Sequence, residues 1–288
     1  MIRLAVCAPD ALSCELAARL HDVTVEPFSA EVPSTCTAVA VLDPPPDVLE
    51  WTDRWLGSGR DVLLLPGSWL SRAALDRLSA TADASGAQLA VLNPERFRPS
   101  RRLMQEQLDS GRLGQPGLVR LHHWEHSTGT PDDLPHSLLR DLDVVHSLMD
   151  APLDVVYARE LHPSAPAGRC VQLHLGFTGG GMALVDYVEG LPTRAGYQFL
   201  SLIGSSGAAY ADDHQNTQLV FGAGRQPQAA IVDEGSTALA PLVQFFVSGL
   251  IHGQHFDASL ASWRAVLATA DVATQSLTSG QAIRLVAD

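Results

Sequence analysis

Up to residue 92 the chain alternates short apolar runs with segments of helical spacing, and this alternation limits the fold more than any other feature. Ile2 to Cys7, Val23 to Val25, Thr37 to Leu42, Val62 to Leu65 and Gln88 to Leu92 read as strands. Ala11 to Leu20 places Leu12, Leu16 and Leu20 on one helical face, and Val48 to Leu56 and Leu70 to Ala84 also read as helices. The last has Ser68 or Ser71 as its cap and Gly86 as its stop. Strands separated by helices of this length pair in parallel, because only a long crossover returns the chain to the same end of a sheet. The pattern changes after about residue 115. Leu118 to Trp124, Val155 to Leu161, Cys170 to Phe177, Met182 to Val188, Tyr197 to Ile203 and Thr217 to Phe221 are strand-like, many joined by short turns. One helix near Leu134 to Met149 interrupts them, and two close the chain, near Ala238 to Ile251 and Ser259 to Leu277. The expectation is a two-domain α/β protein: a parallel-sheet domain over 1–93, then an α+β domain over 94–288 with a mostly antiparallel, open-faced sheet.

Composition narrows the chemistry. Of 288 residues, 19 are basic, and all of these are arginine. Arginine does not deprotonate in proteins, so Schiff-base chemistry, a phosphate-loop lysine and a lysine general acid are excluded. The net charge of −13 argues against nucleic acid and against a polybasic membrane contact. No apolar run reaches transmembrane length, and Met1 to Leu20 does not read as a secretion signal because Asp10 interrupts its short apolar run. Cys7, Cys14, Cys36 and Cys170 have no metal-type or redox-type spacing. They read as reduced, mostly buried thiols, which fits a cytoplasmic protein.

Leu89 to Gly114 reads as a strand ending in Asn93, then Arg96-Phe97, then a helix closed by Gly111-Arg112-Leu113-Gly114. Leu202 to Gly207 is Leu-Ile-Gly-Ser-Ser-Gly with Asp212 following, and the tail from Asp257 to Leu285 carries Ser276 and Gly280 in an S-x-x-x-G arrangement. In order and spacing these segments resemble the Gfo/Idh/MocA family of glucose–fructose oxidoreductase and inositol dehydrogenase relatives, over nearly the whole chain. The resemblance implies a Rossmann-like first domain for NAD or NADP. It implies a second domain that takes a sugar or polyol and often forms a homodimer through its sheet.

Three features of that family have altered counterparts here. The glycine turn that lets backbone approach a pyrophosphate is replaced by Ala8, Asp10 and Ser13, with Asp10 or Ser13 expected to cap the following helix. The ribose clamp has Glu26 as its nearest candidate, and Asp43 ends the next strand. The chain reaches that strand so quickly that the first domain reads as shortened. The family's E-K-P falls on Leu64, Leu65 and Pro66, so its lysine is a leucine. Its D-x-G-x-H-x-x-D falls on His136, Arg140 and Asp143, which puts arginine in the histidine slot. A rival alignment puts His146 there. Arginine binds anions bidentately but does not shuttle protons at neutral pH.

His122, His123, Trp124, Glu125 and His126 form an unusual run. On a strand, His122, Trp124 and His126 share one face, and His123 and Glu125 the other. Two residues along one face are roughly 7 Å apart, wide for one metal, so a third ligand from His136, His162 or His174 would be needed. With Arg96, residues Glu125 and His126 are expected to line a ligand pocket. The leading functional expectation is a member of this fold that has lost usual dehydrogenase catalysis and binds a small sugar-like or anionic ligand. Two alternatives stand beside it: an active NAD(P)-dependent oxidoreductase with a remodelled site, and a metal-dependent enzyme using the His122–His126 strand.

Overall fold

The computed structural model describes residues 1–27, 32–126, 134–161, 168–190, 196–212, 217–222, 228–231 and 238–285. Two compact units emerge, Met1–Phe97 with Ser236–Ala265, and Arg98–Gly235 with Val266–Asp288.

Unit 1 is built on β1 (Ile2–Cys7), α1 (Asp10–Arg19), β2 (Val23–Pro27), β3 (Ala38–Val41), α2 (Val48–Gly57), β4 (Asp61–Leu64), α3 (Arg72–Ser85) and β5 (Leu89–Val91). The strands form one sheet in the order β2-β1-β3-β4-β5, every pair parallel, as the alternation predicts. β1 lies between β2 and β3, so the order of connection reverses beside it. In such sheets that reversal opens a crevice at the strands' carboxyl ends. Between β2 and β3 no helix lies among the described residues, which matches the expected shortening.

Ser71 caps α3 by accepting from the Ala74 N–H, and Gly86 ends it in the left-handed region at φ 74°. At α1 the expected cap is corrected. Pro9 is the N-cap and makes no side-chain cap bond, while Asp10 is already helical and Ser13 is buried. The thiols are free, as expected, but only Cys36 is buried; Cys14 is exposed.

The sequence reading set one boundary, at 93/94. Unit 1 also includes α6 (Leu239–Ile251), because its Leu242, Val243, Phe246 and Val247 share a core with Leu4, Val6, Leu63 and Ala90. Asn93 is buried and accepts from the Glu95 N–H, holding the short 3-10 turn Pro94–Phe97, and the Phe97 ring meets Phe245 edge-on at 5.6 Å.

Unit 2 begins with α4 (Pro99–Asp109), β6 (Pro116–Trp124) and α5 (His136–Met149). It continues through β7 (Leu153–Leu161), β8 (Arg169–Phe177), β9 (Met182–Glu189), β10 (Tyr197–Gly204), β11 (Gly207–Asp212), β12 (Thr217–Gly222) and β13 (Gln228–Ile231). The later part of α7 (Asp257–Ser279) and the short β14 (Ile283–Arg284) complete it. The sheet order is β13-β12-β11-β10-β6-β9-β8-β7-β14, antiparallel except for the β6–β9 pair. Alternation is strict: Val119, Leu121, Val171, Leu173, Ala183, Val185, Leu200 and Leu202 are buried on one face, against which α5 packs. The other face carries Arg120, His122, Trp124, Tyr157, His174, Phe199 and Tyr210, half-buried or exposed.

The glycine-bearing motifs have structural reasons. Gly114 sits at φ 69°, and a side chain on Gly204 would collide with the Leu113 carbonyl. The two turns dock there: Ser206 N–H donates to Leu113 O at 3.0 Å and Ser205 N–H to Gln115 O at 2.9 Å. Ser276, fully buried, accepts from the Ala158 N–H at 2.9 Å and ties the last helix to β7.

Candidate functional site

The β1–α1 turn is where this kind of sheet receives a phosphate. Pro9, as N-cap, brings no N–H; its carbonyl accepts from Leu12 N–H and Ser13 N–H, both at 3.0 Å. Asp10 puts a carboxylate into the first turn, where the helix dipole favours an anion and where a phosphate would compete with it. Ser13 is 4% exposed, and its hydroxyl has no hydrogen-bond partner among the described residues. Glu26, at the end of β2, is held by Arg3 at 3.1 Å and accepts from Thr35 at 3.5 Å. Asp43 is exposed after β3, its N–H bonded to the Cys7 carbonyl at 3.2 Å.

A second assembly of functional side chains lies wholly in unit 2. Because β6 and β9 run parallel in register, His123 pairs with Tyr187 across the sheet, and both face α5. Glu125 follows two residues after His123 on the same face. Its carboxylate accepts from the Tyr187 hydroxyl and from the Ser137 hydroxyl, the latter at 3.1 Å. Ser137 in turn accepts from the Arg140 guanidinium at 3.2 Å. Tyr187 is fully buried, and desolvation followed by its bond to Glu125 pushes its phenol far above the ordinary range. Burial and the neighbouring Glu125 and Glu189 keep the hydroxyl protonated and donating, with the Ser137 contact opposing more weakly.

Beside this, His123 Nδ1 meets Asp141 Oδ2 at 2.7 Å, with Asp141 buried on α5. Arg101 donates to Gln198 Oε1 at 3.2 Å, and Gln198 Nε2 lies 3.3 Å from His123 Nε2. Arginine only donates and a carboxylate only accepts, so the satisfied pattern is one. The Gln198 oxygen faces Arg101 and its amide donates to His123 Nε2. His123 then carries its proton on Nδ1, toward Asp141. The Glu125 side chain is 22% exposed, against 12% for His123 and 3% for Asp141, so the carboxylate is the group through which this network reaches the surface of unit 2.

No protein-family model and no curated protein matches the chain. Solved structures do. An oxidoreductase from Agrobacterium radiobacter in complex with NAD+, L-tartaric acid and magnesium is 12% identical, with 98% of each chain covered and a TM-score of 0.80. UDP-N-acetylglucosamine 3-dehydrogenase from Acidithiobacillus ferrooxidans is 15% identical over 97% of this chain and 98% of its own, with a TM-score of 0.77. Scyllo-inositol dehydrogenase from Lactobacillus casei, bound to NAD(H) and scyllo-inositol, is 13% identical over 99% of each chain, with a TM-score of 0.76.

The fold is that of the Gfo/Idh/MocA dehydrogenases.

A Gfo/Idh/MocA fold implies a dinucleotide at the β1–α1 turn. The residues present do not fit its pyrophosphate: one donor is missing at Pro9, a carboxylate stands at Asp10, and Ser13 is turned into the interior. Leu65, onto which the sequence resemblance mapped the family's lysine, is a core residue whose carbonyl accepts from the Trp69 indole at 2.9 Å.

The expected catalytic set is partly brought together. His136 is exposed and Arg140 half-buried near the start of α5, while Asp143 is buried further along. His146 lies one turn on from Asp143; its Nε2 bonds the Thr269 hydroxyl at 2.8 Å and its ring stands edge-on to Phe177. Burial pushes its pKa down, with Asp143 opposing.

Of the residues expected to line a pocket, Arg96 lies in the 3-10 turn of unit 1, and Glu125 and His126 lie in unit 2. His122 pairs with Asp186 at 2.8 Å on one face of the sheet, while His123 pairs with Asp141 from the other. Among the described residues no three His, Cys, Asp or Glu side chains group to hold a metal. His174 stands edge-on to Tyr157 at 5.9 Å, and His162 lies outside the described residues.

The sequence reading missed Asp141, Tyr187, Ser137, Gln198 and Arg101. The one available signal was strand alternation, which had already put His123 and Glu125 on one face.

Proposed function

We propose that this chain has lost the usual dehydrogenase chemistry of its fold and works as a receptor for a small polyhydroxylated or anionic ligand, seated at the Glu125–Arg140 cluster of unit 2. The observation that carries this reading is the β1–α1 turn, where Pro9, Asp10 and Ser13 replace the donors and the space that a pyrophosphate needs. Glu125, Ser137 and Arg140 supply an acceptor, a hydroxyl and a cation within one hydrogen-bonded set, which suits hydroxyl-rich ligands. The relatives named above act on or hold sugars, inositols and a hydroxy acid, which favours the same class. Calorimetric titration with NAD and NADP tests the reading. Saturable heat is expected to be absent up to about 1 mM, a level equivalent to roughly 4 kcal/mol of binding. Micromolar binding of either dinucleotide refutes it and favours the active oxidoreductase, with exposed His136 as its acid–base group.

The half-exposed face of the unit 2 sheet, with Trp124 41% and Ile203 48% exposed, is our candidate for a homodimer contact. A monomeric mass by light scattering at micromolar concentration excludes it. No helix among the described residues is long and apolar enough to cross a membrane, and the four free thiols favour a cytoplasmic location.

A further inference from the structure

We infer that the unit 2 site catalyses cofactor-independent proton transfer next to a ligand carbonyl, with Glu125 as the base and Arg140 as the cation for the oxygen that gains charge. The inference rests on the proposed sugar-like ligand and goes beyond it by assigning a reaction. Three parts are needed for such a step, and all are in place. A carboxylate must reach the ligand while being held in one orientation. Glu125 is 22% exposed, and its two oxygens are separately fixed by the hydroxyls of Tyr187 and Ser137, both buried. The proton must not leak into the protein behind the base. His123 Nε2 lies 3.8 Å from Glu125 Oε2, and its lone pair is engaged by the Gln198 amide. Tyr187 holds its own proton against transfer. Finally, a cation must stand near the base. Arg140 is one hydroxyl away, through Ser137 at 3.2 Å.

The step balances without an oxidant or reductant. Glu125 takes the proton from the carbon adjacent to the carbonyl. The C–H electron pair becomes the new C=C bond, and the carbonyl π pair moves to oxygen, beside Arg140. Glu125, once its proton has exchanged with solvent, returns a proton to the same carbon, giving exchange; where that carbon bears a hydroxyl, the hydroxyl proton passes to the former carbonyl oxygen as Glu125 protonates the former carbonyl carbon, and the carbonyl shifts. Asp141, His123, Gln198 and Arg101 are positioning residues that keep the wall behind Glu125 neutral and fixed.

The test uses the full chain in D₂O with no nucleotide, and fructose and a cyclic keto-inositol as probes. Proton NMR follows loss of the C–H signal beside the carbonyl, and saturation-transfer NMR follows binding. Exchange is expected with the wild-type protein. Glu125→Gln is expected to reduce it by about 10²-fold or more while binding persists. Tyr187→Phe is expected to lower kcat more than it changes KM, because it disturbs the orientation of the base. Binding without exchange overturns the inference and leaves the ligand reading intact. Exchange that survives Glu125→Gln also overturns it. Failure of both probes to bind overturns the ligand reading and the inference together.

Discussion

Tyr187→Phe isolates one buried hydrogen bond of the site. Tyr187 is fully buried, and its hydroxyl donates to the Glu125 carboxylate. The variant keeps the ring and its edge contact with His123, so it removes one hydrogen bond to a charged group. That loss is worth about 1.5–3 kcal/mol at neutral pH. The alkaline limb gives an independent check. An exposed tyrosine in the unfolded chain loses its proton near about pH 10, whereas burial and Glu125 keep the native phenol protonated well above that. Above that pH the native state holds one more proton than the unfolded state. Stability therefore falls with rising pH, by about 1.4 kcal/mol per unit for this group. In the variant this contribution is absent. Urea unfolding at pH 7, 9, 10.5 and 11.5 should show the variant less stable at pH 7 and the gap narrowing above pH 10. Parallel curves across that range, or equal stability at pH 7, would refute the assignment.

Two further outcomes follow from buried polar groups. Ser13→Ala removes a hydroxyl that has no partner among the described residues and places a better helix former in α1. It should raise stability by about 1 kcal/mol in urea titration; destabilisation of that size would mean the hydroxyl is bonded in solution. His146, whose folded pKa is depressed by burial, stays neutral while the unfolded chain protonates below about pH 6.5. Its contribution to stability is complete above that value and is lost as pH falls through it, by up to about 1.4 kcal/mol per unit. His146→Gln should flatten that acid limb between pH 6.5 and 5 in thermal or urea unfolding, and an unchanged slope would show that His146 titrates normally.

Periodicity made most of the elements legible. Strand alternation in Leu118–Trp124 put His123 and Glu125 on one face, and Ser71 with Gly86 bounded α3 closely. The short strands β13 and β14 and the alanine-rich β11 escaped, because runs so small and mild leave little periodic signal. The cap of α1 was misread because Asp10 and Ser13 are both good capping types, while the chain turns one residue earlier, at Pro9.

The sequence by itself determined the two sheet types, the absence of lysine chemistry and the lack of glycine at Ala8, Asp10 and Ser13, since each depends on local pattern or residue type. Only the tertiary structure decided that Tyr187, 62 residues from Glu125, holds its carboxylate, and that Asp141 orients His123. Those contacts arise from the parallel pairing of β6 with β9 and the packing of α5 across them, which bring together side chains that no spacing along the chain relates. It also decided that His146 packs against Thr269 and Phe177. Burial depends on which elements cover a residue, and local periodicity carries no record of that.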